Sequence, residues 1–227
     1  MNPYSNGFFI YPQEPATHFF PRNWHPYHTV PTMYFSNQLP NPCISEAEFD
    51  FISMNRLLWM EHINWTRLTI TSIVFNLPNL PSVQARLLKN APDLGNSIRP
   101  YYGDQIADRY TELMMEHLVL AAELVTAAVN GDTKKAAEKE KEWYRNADNI
   151  ALFLSSINPY LGIEEVRKMF YEHLALTKLE AVYMIQKNYP KDIEMFDKIQ
   201  AEALAMSDMI AKAIVIQFPY KFQKNGG

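Results

Sequence analysis

Three Glu-His pairs recur in closely similar apolar settings along the chain: "LWMEHI" at 58–63, "LMMEHL" at 113–118 and "MFYEHL" at 169–174. Charged side chains are costly inside a core unless they are paired, and a divalent cation satisfies several carboxylates and neutral imidazoles at once. A nitrogen and oxygen ligand set without thiolate suits iron, manganese or zinc. In such a site an adjacent Glu and His divide the work, one binding the ion and the other accepting the far imidazole N–H of a neighbouring ligand.

Helical spacing decides which residues share a face with each histidine. Around His117 these are Tyr110, Leu113, Met114, Leu120, Ala121 and Leu124. Around His62 they are Leu58, Trp59, Trp65, Thr66 and Thr69, and around His173 they are Met169, Phe170, Leu176, Thr177 and Glu180. All three imidazoles are therefore expected to point into an apolar interior. Glu61, Glu116 and their counterpart at 172 lie about 100° round their helices, a half-step toward the neighbouring groove, and are expected to be at least partly buried. Each histidine falls near the middle of its helix, with 55 residues from the first to the second and 56 from the second to the third. The three are expected at one height. Asp148, near the midpoint of another helix beside Ala147 and Ala151, is the natural contributor from that element. Glu123, Glu180 and Glu202 are secondary candidates. The competing reading makes each histidine a core residue hydrogen-bonded across the bundle, with its glutamate in a salt bridge to a residue such as Arg67, Arg109, Arg145 or Lys178.

The elements that must position these residues are helical from about residue 46 onward. Ser45 followed by Glu48 is a capping signal for a helix that runs to "NLPNLP". A short helix at about 82–90 and an irregular connection, "NAPDLGNSIRPYYGD", follow. Further helices are expected at about 104–130, 133–157, from 163 to "NYPKD", and 191–217, with Gly131 suited to a left-handed C-cap. Five long helices joined by short turns predict an all-α, up-and-down antiparallel bundle over residues 46–220, with a flexible tail at 221–227. Residues 1–45 differ: eight prolines, many aromatics, three of the six histidines and almost no charge predict a disordered or extended arm. His18, His25 and His28 read as ordinary residues of that arm.

The totals exclude several functions. With 227 residues, 48% hydrophobic and 13% aromatic, the chain can bury a large core. A net charge of −4 leaves no basic footprint for nucleic acid. No apolar run is long enough to span a membrane, and the start lacks the pattern of a signal peptide, so a cytoplasmic location is expected. The single cysteine, Cys43, permits no internal disulfide framework. Phosphate-cradling glycine loops, a nucleophile elbow and HExxH are all missing, which argues against kinase, hydrolase and metalloprotease readings.

The stretches "EHINWTR", "EHLVLAAELV", "WYRNADNIALFLSSINPY" and "EHLALTKLEA" resemble a group of uncharacterised helical proteins from spore-forming bacteria. Their inward Glu-His helices in turn resemble ferritin-like carboxylate and histidine bundles. Over about 50–217 the resemblance implies metal-ligand candidates at Glu61, His62, Glu116, His117, Asp148 and His173. It departs from the ferritin-like pattern in one respect, because di-iron proteins of that kind carry Glu-x-x-His and here Glu and His are adjacent. The aromatic arm resembles spore-coat proteins. Two functions follow as expectations. The first is a metal-binding bundle, iron or manganese before zinc, acting in storage, detoxification or as a non-haem metal oxidoreductase. The second is a spore-coat or assembly protein, homo-oligomeric or held to coat partners through residues 1–45. A small-molecule site at the polar layer is a third, less favoured expectation.

Overall fold

The computed structural model describes residues 44–223; the N-terminal arm up to residue 43 and the last four residues lie outside the described residues. Six α-helices form among the described residues, the short helix expected at about 82–90 being a sixth long one: α1 Glu46–Val74, α2 Leu80–Tyr102, α3 Asp104–Val129, α4 Thr133–Ile157, α5 Ile163–Ile185 and α6 Tyr189–Gln217. No strand occurs among the described residues. The expected signals act at several ends. Ser45 Oγ accepts from the Glu48 amide at 3.1 Å, Asp132 caps α4 through the Lys135 amide, and Gly131 takes φ of 72° in the turn between α3 and α4.

The expected short helix extends into α2, which absorbs the segment expected to be irregular. It continues through Pro92 and Pro100. Proline lacks an N–H, so the Leu88 carbonyl forgoes its usual bond, a local penalty that normally ends or kinks a helix. Here the buried stripe Val83, Leu87, Ala91, Leu94 and Ile98 continues past the proline and packs against α1 and α3. Tertiary burial overrides the local preference. Gly95 shows how close that packing is: a Cβ there would lie 1.9 Å from Thr111 Oγ1 and 2.8 Å from the Ala107 carbonyl oxygen.

Each helix packs on its neighbours in sequence, and α6 returns to α1, closing a ring; α1 also touches α3 and α5. The odd-numbered helices line the interior, and each even-numbered helix fills a groove between two of them. The main core contains Trp59, Leu94, Met114, Leu118, Trp143, Ile150, Phe170 and Leu174. A separate cluster of Ile70, Val125, Ala181 and Met184 lies beyond it. Three members of that second cluster stand eight residues after His62, His117 and His173 respectively, which shows that α1, α3 and α5 run in the same direction and in register. Phe222, in the segment expected to be a flexible tail, is instead buried against Phe51 and Tyr101.

Candidate metal centre

The three Glu-His helices bring their histidines together. His62, His117 and His173 are 1%, 2% and 3% exposed, and one ring nitrogen from each lies within 4.8 Å of the other two. The ring centroids are 6.1, 5.8 and 6.1 Å apart, so the triad is nearly equilateral. Register explains the convergence: the inner helices are parallel, and each places its histidine on the bundle axis at the same level.

The outward nitrogen of each ring is held by the following helix. His62 Nδ1 meets Asn90 Oδ1 at 2.9 Å, His117 Nδ1 meets Asn146 Oδ1 at 3.1 Å, and His173 Nδ1 meets Glu202 Oε2 at 2.9 Å. The separations in sequence are 28, 29 and 29 residues, and each contact straddles the turn of its own hairpin. Both asparagines are oriented by their amide groups. Asn90 Nδ2 donates to the Leu58 carbonyl at 2.9 Å and Asn146 Nδ2 to the Leu113 carbonyl at 3.1 Å, in each case four residues before the histidine. Their Oδ1 atoms, like the Glu202 carboxylate, can only accept, so each histidine donates from Nδ1. In a neutral ring this leaves the Nε2 lone pair as the inward ligand.

Burial keeps the His62 and His117 rings neutral. Burial lowers the His62 pKa to about 4, aided by charge on His173 and opposed by the bond to Asn90. His117 is held well below the ordinary histidine value, first by burial and then by His62 and His173, with Asn146 opposing. The neutral His62 and His117 rings turn lone pairs inward, and one nitrogen of the His173 ring converges with them in a chamber suited to a cation.

The chamber has unlike ends. Trp59, Met114 and Phe170, each three residues before a triad histidine, are 1%, 0% and 1% exposed and seal one side. Thr66, Ala121 and Thr177, each four residues after, form the other side. The hydroxyls of Thr66 and Thr177 are buried without hydrogen-bond partners among the described residues.

The carboxylates expected as ligands lie elsewhere. Glu61 pairs with Arg86 at 2.9 Å, and Glu123 pairs with Lys139 at 3.0 Å. Asp148 pairs with Arg167 at 2.9 Å and accepts from Tyr171 Oη at 3.0 Å. Glu116 is exposed but accepts from Asn146 Nδ2 at 2.9 Å, which places it behind the His117 partner rather than on the ion. Glu180 is 1% exposed and engages Arg67, which also binds Asp192 at 2.7 and 3.1 Å; this network ties α1, α5 and α6 together. Burial raises the Glu180 pKa to about 7 despite Arg67.

No known protein family, curated protein or solved structure matches the chain. The site therefore stands on its own geometry. Sequence reasoning found the triad and named Glu202 as a secondary candidate, but it missed Asn90 and Asn146. A signal for them exists. Asn90-Ala91, Asn146-Ala147 and Glu202-Ala203 follow the three histidines at nearly constant spacing, and all three alanines are 0% exposed. The six described helices thus form three hairpins of one pattern, with Glu-His on the first helix and an acceptor followed by Ala on the second.

Proposed function

We propose that the bundle holds one divalent metal ion on the Nε2 atoms of His62, His117 and His173. The observation that carries this reading is the convergence of three buried imidazoles whose Nδ1 atoms are each engaged by an acceptor, the outer arrangement that orients histidine ligands and raises their basicity. Nitrogens at the 4.8 Å limit lie about 2.8 Å from their common centre, and zinc–imidazole bonds are about 2.0–2.1 Å, so each nitrogen moves inward by about 0.7 Å or less to bind.

An all-imidazole set favours zinc or a metal of similar preference over manganese, which prefers oxygen ligands, and departs from the two-histidine, one-carboxylate pattern of non-haem iron oxygenases. The metal preference expected from the Glu-His pairs, iron or manganese first, is therefore revised to zinc first. Three protein ligands leave an open position, the arrangement found in catalytic zinc sites, whereas structural sites are closed by four. Trp59, Met114 and Phe170 block one side, so the open position faces Thr66 and Thr177. Their unpartnered hydroxyls suit hydrogen bonds to a water or other oxygen ligand there. Bound zinc would lower the pKa of such a water and polarise an oxygen-bearing substrate.

The test is metal analysis of untagged protein equilibrated with zinc and then freed of excess ion. About one equivalent is expected, falling sharply in His117→Ala and His173→Gln variants whose helicity is checked by circular dichroism. Sub-stoichiometric metal, unchanged in folded variants, overturns the proposal and leaves the rival reading, an assembly protein whose polar layer only fixes helix register.

A further inference from the structure

We propose that the cavity bounded by α1, α3, α4 and α5 binds a neutral, largely apolar small molecule that presents one acceptor oxygen to Trp143 and Thr177. The cavity has a volume of about 350 Å³, with walls that include Ile70, Leu124, Val125, Ala181, Val182 and Ile185. That volume falls within the range of small-molecule sites, roughly 300–1,000 Å³, and the aliphatic lining matches their usual character.

Two polar groups on its wall lack partners. Trp143 and Thr177 are 2% and 4% exposed, and Trp143 Nε1 and Thr177 Oγ1 make no hydrogen bond among the described residues. An unmade buried bond is expensive, so buried indole N–H groups usually find an acceptor. The Thr177 hydroxyl, like that of Thr66, also departs from the other helical threonines. Thr69, Thr71, Thr111 and Thr126 all donate to the carbonyl four residues earlier, the default for a helical threonine, whereas Thr177 does not. Both groups are thus available to a ligand, and one acceptor oxygen relieves the indole donor.

Charge selects against an ionic ligand. Lys178, which also lines the cavity, is paired with Glu140 across α4 and α5. The lining offers no other cation, so a carboxylate placed inside would be desolvated without compensation. A medium-chain ketone or alcohol meets the requirements of size, apolarity and a single oxygen. Its oxygen would lie close to the triad, since the Trp143 ring packs 5.4 Å from that of His117 and Thr177 is one turn past His173. The ligand site rests on the cavity and its unmade bonds and does not require metal in the triad.

Isothermal titration of the metal-free full chain with 2-octanone and with octanoate tests the proposal. Saturable one-to-one binding of 2-octanone is expected, with octanoate at least several-fold weaker. Trp143→Phe, which keeps a ring and removes the N–H, should weaken 2-octanone by about tenfold, the equivalent of one net hydrogen bond. Ala128→Trp, at an exposed position lining the cavity, should abolish binding without disturbing the core. Absence of saturable 2-octanone binding, equal binding by either folded variant, or tighter binding of octanoate overturns it.

Discussion

Replacing Asn90 by leucine tests whether the outer acceptors hold the triad in its metal-binding form. The substitution roughly preserves volume at a position that is 0% exposed and deletes two 2.9 Å hydrogen bonds, one from His62 Nδ1 and one to the Leu58 carbonyl. A buried donor left unpaired costs about 1–3 kcal/mol, and the lost amide bond adds about 1 kcal/mol, for a total loss of about 2–4 kcal/mol in the metal-free protein. The imidazole has one escape, which is to carry its proton on Nε2 instead. That tautomer relieves the Nδ1 donor but directs an N–H into the chamber, so His62 no longer offers a lone pair. Zinc affinity should therefore fall by about 10–100-fold, the usual effect of removing an outer partner of a histidine ligand. Urea unfolding of the metal-free protein and competition with a chromophoric zinc chelator measure the two effects separately. A zinc affinity within about threefold of wild type, alongside the expected loss of stability, would refute the reasoning and reduce Asn90 to a packing residue.

Two further outcomes follow from the structure. His62 has a folded pKa of about 4 against an ordinary 6.5, so its contribution is complete above 6.5 and is lost as pH falls toward 4, by about 3 kcal/mol in the metal-free protein. Glu180 opposes it, because a pKa raised from 4.5 to about 7 means stability is lost as pH rises through that window. Glu180→Gln should thus steepen the rise of stability with pH between 4.5 and 6.5, measured by denaturant titrations at successive pH values; an unchanged slope contradicts the opposition. Gly95→Ala should destabilise the bundle by about 1–3 kcal/mol through its clash with Thr111 and the Ala107 carbonyl, and Thr111→Ala should restore only part of that loss because the carbonyl remains. Thermal melts of the single and double variants decide it.

Much of the bundle was legible in one dimension because helix periodicity and caps are local. Ser45, Gly131 and the apolar stripes of α1, α3, α4, α5 and α6 act within a turn or two of themselves. The inward direction of His62, His117 and His173 followed from the same period, and their common height from the near-equal spacing of the Glu-His pairs. The sequence alone thus determined the helical class and the histidine triad. It did not determine α2, since Pro92 is a local penalty that only packing against α1 and α3 overrides. Nor did it determine which groups complete the site. Asn90, Asn146 and Glu202 reach their histidines across a turn, so their roles exist only once the hairpins close. The glutamates show the same limit from the other side. A residue adjacent to an axial histidine points about 100° away, toward a groove whose contents are set by the neighbouring helix. Tertiary structure placed Arg86 against Glu61 and Asn146 against Glu116, and left Glu172 exposed. The chamber thereby became one of imidazoles alone.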